Sequence, residues 1–137
     1  MDRQEAIEFL LDHYQNPRNH GPLDPVDVMM PGGNPGCGDI VTIYLKVGDS
    51  GDQVETVTFE GEGCTISQAA ASILMEMVEG KPLSEIDEMD FNDMIDYLGR
   101  EVVNTRPRCA TLALGTLKAA ITQYRNDQVR AEIEADT

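Results

Sequence analysis

Apolar residues recur at Ile7, Leu10, Leu11 and Tyr14, the i, i+3, i+4, i+7 spacing of one helix face, and predict a helix over residues 3–15. Pro17, Gly21, Pro22 and Pro25 break that period. A short strand is expected at 26–30. From residue 40 the period changes to two: Val41, Ile43, Leu45 and Val47 alternate with Thr42 and Lys46. The turn "GDSGD" separates this run from "QVETVTFE", residues 53–60, so the two read as an antiparallel hairpin. Helical spacing then returns. Ile66, Ala69, Ala70, Ile73 and Met77 form a stripe that Gly80 and Pro82 end. Met75 and Met77 read as core. "LSEIDEMD" is an acidic connection, and Phe91, Met94, Ile95 and Leu98 predict a short helix over 91–98. "GREVVNTRPR" reads as a loop or broken turn. A last helix over about 109–125 carries Ala110, Ala113, Leu114, Leu117, Ile121 and Tyr124 on one face. The order of helix, strands, then helices is an α+β pattern. One domain is expected over residues 1–125, followed by a polar, frayed tail at 126–137.

Charge narrows the partners. Twenty-five acidic residues against 10 basic ones give a net charge of −15. Nucleic acid and anionic membrane surfaces are repelled by such a field, whereas a basic protein partner or a high-salt cytoplasm suits it. A solvated acidic surface without specific meaning fits equally. No apolar run approaches the roughly 20 residues of a membrane span, and "MDRQEAIEF" lacks a signal-peptide core. A cytoplasmic location is the expectation. No Ser-His-Asp set, paired carboxylates or phosphate loop points to a hydrolase or nucleotide enzyme.

The three cysteines carry the chemistry. Cys37 sits in the glycine-rich "PGGNPGCGD", Cys64 follows a Gly-x-Gly hinge before a helix, and Cys109 follows "RPR" at the start of the last helix. All three are expected at ends of elements, where glycines let the backbone approach a bulky object. Helix N-termini and arginines, here Arg106 and Arg108, favour thiolate, the form that binds metal and attacks sulfur. Asp39 adds a hard oxygen beside Cys37. Three Cys and one Asp make a tetrahedral set for zinc or a partly oxygen-ligated iron–sulfur cluster. Ligands this far apart in sequence meet only in an already folded domain. Against this stands the plain reading of each thiol as a small hydrophobe. His13 and His20, in "DHYQNPRNH", are expected to orient the N-terminal segment or touch a partner.

"LLDHYQNPRNHG" (10–21), "GGNPGCGD" (32–39), "FEGEGCTISQAAASIL" (59–74) and "RPRCATLALGTLKAAI" (106–121) resemble, in consistent order over most of residues 1–125, the U-type iron–sulfur cluster assembly proteins, the IscU, SufU and NifU N-terminal group. The resemblance implies a small three-stranded antiparallel sheet packed by about four to five helices, with Cys37, Asp39, Cys64 and Cys109 together at one exposed end. It implies a scaffold that accepts sulfur from a pyridoxal-phosphate cysteine desulfurase, with Cys109 and Cys37 as acceptor candidates beside Arg106. It then builds a [2Fe–2S] cluster and hands it to downstream apo acceptor proteins. The alternative is a zinc-dependent sulfurtransferase that activates the desulfurase without storing a cluster. A small zinc-stabilised interaction module is the third class. The branch signals are mixed. Scaffold members of the Isc type place a histidine before the third cysteine and a chaperone-read Leu-Pro-Pro-Val-Lys stretch upstream; here stand Arg108 and "NTRPRC". Arg106 and Arg108 match the Suf-type branch, but the spacing from Cys64 to Cys109 matches the Isc type.

Overall fold

The computed structural model describes residues 2–34 and 38–135. Its elements are α1 (Arg3–Gln15), β1 (Val28–Asn34), β2 (Asp39–Val47), β3 (Val54–Glu62), α2 (Thr65–Val78), α3 (Leu83–Glu88), α4 (Phe91–Leu98), α5 (Arg100–Val103) and α6 (Pro107–Ala135). The three strands form one antiparallel sheet in the order β1-β2-β3. Val41, Ile43, Leu45 and Val47 all turn their side chains into the core, as the alternation predicts. On β3 the period slips. Lys46 pairs with Thr56 but Val47 pairs with Val54, so Glu55 is an extra residue in a bulge. The slip brings Val54 and Val57 to the same buried face.

Helices α2 and α6 pack against the inner face of the sheet. The sequence stripe on α2 understates its burial: Ala69 to Met75 are buried without interruption, because the helix is enclosed by the sheet, α1 and α6. On α6 the predicted face holds at every position from Ala110 to Tyr124. That helix does not stop near residue 125. It runs to Ala135 on a polar stretch of good helix formers, supported by Gln123 Nε2–Asp127 Oδ1 at 2.8 Å.

Two segments without a readable period are ordered elements. The acidic connection forms α3 around the buried Leu83 and Ile86, and part of "GREVVNTRPR" forms the single turn α5 around Val103. The strand expected at 26–30 is longer, and it takes in the first glycines of the cysteine loop. Pro31, Gly32, Gly33 and Asn34 pair with Thr42, Val41, Ile40 and Asp39. Pro31 is tolerated because β1 is an edge strand. Gly32 is required by contact: a Cβ there would lie 2.0 Å from Thr116 Oγ1, so its absence lets α6 close on the sheet.

On α1 the inward face differs from the predicted one. Ala6, Leu10 and His13 are buried, while Leu11 and Tyr14 are exposed. Hydropathy ranks His13 outside; two partners allow it inside. His13 Nδ1 lies 2.8 Å from Ser72 Oγ on α2, and Nε2 lies 3.3 Å from Glu76 Oε1. The backbone N–H of Arg18 donates to the same Ser72 Oγ at 2.8 Å. With its proton on Nε2, the neutral ring donates to Glu76 and accepts the serine hydroxyl proton. His13 thus orients the N-terminal segment, one of the two roles expected of it.

Burial, and then the charge of Arg18, hold the His13 pKa below the usual histidine value, against the opposing pull of Glu76 and Asp12. The unfolded chain therefore takes up this proton at higher pH than the folded one. Stability from this site is complete above the unfolded pKa, about 6.5, and is lost as the pH falls through the lower folded value. Urea midpoints measured from about pH 7 to about pH 5.5 are expected to fall more steeply for the wild type than for His13→Gln. Parallel slopes would contradict this role for His13.

Candidate metal centre

Cys64 is the N-cap of α2, with φ −73° and ψ 163°. Its sulfur takes the place of the usual cap oxygen: Ser67 N–H donates to Sγ at 3.4 Å. Ser67 Oγ also donates to the Cys64 carbonyl at 3.0 Å. The sulfur is thus fixed over the amide-rich, electropositive end of a helix. Cys109 lies in the first turn of α6, which opens on Pro107, where a missing N–H costs nothing. Asp39 opens β2 and is buried at 1 % exposure.

These three residues meet. One ligand atom from each of Asp39, Cys64 and Cys109 lies within 4.8 Å of the others. Asp39 Oδ1 accepts from Cys64 N–H at 2.8 Å, and Oδ2 accepts from the Cys64 thiol at 3.7 Å. One carboxylate oxygen therefore locks the backbone and the other faces the sulfur. The thiol proton between them is the one lost when the site takes a metal. Arg106 lies against the same group. Attraction to Cys64 first, and then a hydrogen bond to Cys109, raise the pKa of its guanidinium. Arg108 is exposed.

Gly63 is the residue whose part the sequence left undefined. Its φ is +150°, and a Cβ on it would lie 2.1 Å from Asp39 Oδ1. Only glycine lets the carboxylate reach the Cys64 amide. The Gly-x-Gly-Cys pattern was the signal, although spacing alone does not say which glycine faces the ligand. Cys37 lies outside the described residues. In the chain it falls between Asn34 and Asp39, which pair with each other across β1 and β2. Two thiols and a carboxylate, converging on one point with a cradle that a single methyl group would fill, suit zinc or iron and leave room in the donor set for a fourth ligand.

His20 is placed beside this centre but not in it. It forms a parallel bridge to Phe59, and its ring stacks edge-on at 5.2 Å between centroids. A cleft of about 380 Å³ opens there, lined by Tyr14, His20, Phe59, Gly63 and Gln68 among others.

The fold and site define a small α+β protein with a thiol–carboxylate centre at one end of its sheet. The chain belongs to the NifU-like N-terminal domain family, whose model matches residues 6–131. It is 38% identical over 128 residues to the iron–sulfur cluster assembly scaffold protein IscU of Aquifex aeolicus, covering 93% of this chain and 81% of that one. It is 35% identical over 122 residues to IscU of Escherichia coli K12, covering 87% and 93%. Among solved structures, a protein from Fervidobacterium islandicum AW-1 assigned as a scaffold of the SUF system superposes with a TM-score of 0.71 at 28% identity, over 88% of this chain and 99% of that one. The N-terminal NifU-like protein of Brucella abortus shares the fold, with a TM-score of 0.74 at 20% identity, over 91% and 99%. Among the described residues no helix is long and apolar enough to cross a membrane.

Proposed function

We propose that this chain is an iron–sulfur cluster assembly scaffold, with Cys37, Asp39, Cys64 and Cys109 as ligands of a [2Fe–2S] cargo. The observation that carries the reading is the convergence of Asp39, Cys64 and Cys109 from three separate elements. Kinship with IscU scaffolds supports it. Sulfur arrives from a cysteine desulfurase. The thiolate of Cys109 or Cys37 attacks the outer sulfur of the desulfurase persulfide, a new S–S bond forms, and the desulfurase cysteine leaves as thiolate. Arg106, already against Cys64 and Cys109, holds the negative charge of the persulfide or the growing cluster. The finished cluster passes to apo acceptor proteins.

A second reading is favoured by Arg108, which stands directly before Cys109 where a neutral imidazole ligand would otherwise be available. Arginine stays protonated and cannot ligate. In that reading the same three Cys and one Asp hold zinc, which keeps the thiols deprotonated, and the protein relays sulfur without storing a cluster.

Anaerobic incubation with ferrous iron, cysteine and a desulfurase, followed by absorption and Mössbauer spectroscopy, separates the two. A [2Fe–2S] spectrum that moves to an apo acceptor is expected. Faster desulfurase turnover with zinc retained and no cluster would replace the first reading by the second. Neither response would leave only an interaction module.

A further inference from the structure

At the opposite end of α2 from Cys64 lies a cavity of about 180 Å³ between α1, α2 and α4. We propose that it is a recognition pocket for a cationic side chain, lysine or arginine, presented by a protein partner. Its walls are Phe9, His13, Ile73, Glu76, Met77 and Tyr97. Glu76 follows Cys64 by twelve positions, about 18 Å at the rise of a helix, so the pocket is separate from the metal centre.

The composition of the walls selects the ligand. Phe9 and Tyr97 stand nearly perpendicular, 6.0 Å between centroids with 74° between planes. This edge-to-face packing fixes the Tyr97 ring, and an aromatic face left open to solvent attracts a cation. Tyr97 is 48% exposed, so its ring is open to an incoming group. Ile73 and Met77 supply the apolar wall on which an aliphatic stem can lie.

Glu76 supplies the counter-charge. Its contacts with His13 Nε2 and Arg18 Nε both run through Oε1, at 3.3 and 3.7 Å. Arg18 does not fill the pocket, because its Nη2 is bonded to Asp12 Oδ2 at 2.6 Å and its Nη1 to the Asn16 carbonyl at 3.0 Å. Arg18 is shared between Asp12 and Glu76, and His13 is neutral at physiological pH. Neither contact engages Glu76 Oε2, and this oxygen faces a ligand as the acceptor. The net charge of −15 draws basic partners to the surface, and the pocket gives one of their side chains a place to sit.

The test is an NMR titration of the full chain with the peptide Ac-Gly-Arg-Gly-NH2, its lysine counterpart, and its citrulline counterpart, which is neutral and nearly isosteric. Saturable shifts of the Met77 methyl and of the Phe9 and Tyr97 ring resonances are expected with the cationic peptides, about fivefold tighter for arginine than for citrulline. Tyr97→Leu and Glu76→Gln should each weaken binding by about fivefold, with the Ile43 and Leu45 methyl resonances unmoved to show an intact core. Glu132→Gln, on the exposed end of α6, should leave affinity unchanged. Equal binding of citrulline, no saturable shift at Met77, or equal loss from Glu132→Gln would overturn the proposal. So would binding of tetramethylammonium with neither cationic peptide, which would assign the pocket to a small organic cation.

Discussion

Asp39→Ala is expected to prolong the life of a reconstituted [2Fe–2S] cluster while making the protein itself less stable. The two effects come from the two oxygens. Oδ2 faces the Cys64 sulfur and offers a hard donor to a soft cluster, which favours release. Removing it should slow loss of the cluster absorbance by about tenfold, equivalent to about 1.4 kcal/mol on the barrier. Oδ1 accepts the Cys64 amide in a buried setting. Removing it leaves that N–H unpaired and costs about 1–3 kcal/mol of folding stability. Anaerobic decay of the visible absorbance measures the first effect, and urea unfolding of the apo protein measures the second. A cluster that decays faster in the variant would count against Asp39 as the labile ligand.

Gly63→Ala is expected to damage the centre without replacing a ligand. The new methyl would lie 2.1 Å from Asp39 Oδ1, closer than the two atoms can approach, at a φ of +150° that alanine resists. Strain of about 1–3 kcal/mol follows from the backbone alone. The carboxylate must also swing away from the Cys64 amide, so metal affinity should fall by about 10–100-fold, the usual penalty for losing a group that orients a ligand. Competition with a chromogenic zinc chelator reads this directly. Gly21→Ala is the fitting control: Gly21 also has a positive φ, +123°, but a Cβ there meets nothing within 4 Å. It should lose stability and keep its metal affinity. Equal affinity losses in the two variants would assign the effect to general backbone strain.

Much of this architecture is legible from short-range pattern. The alternation of Val41, Ile43, Leu45 and Val47 predicts a half-buried strand because successive side chains point to opposite faces. The period on α6 is equally readable, since Ala110 to Tyr124 lie over one continuous core. Short-range pattern is less reliable where a few contacts outweigh hydropathy. Two hydrogen-bond partners draw His13 inward while Leu11 and Tyr14 stay in water. A glycine pair that reads as loop becomes strand because α6 needs the space above Gly32. Leu83, Ile86 and Val103 are too few to reveal a period, yet each segment closes into helix over them.

The candidate centre divides in the same way. The chemical types of its members, and their places at element ends beside glycine and arginine, are properties of the chain and were open to reading. Their meeting is not a local property. Cys64 is held by the cap of α2, Cys109 by the first turn of α6 and Asp39 by the start of β2, so their convergence depends on how two helices dock on one sheet. The cavity formed by Phe9, Glu76 and Tyr97 has no motif at all, since each residue comes from a different helix. Spacing along a chain encodes the periods of single elements; distances between elements are set by packing, which no window of sequence contains.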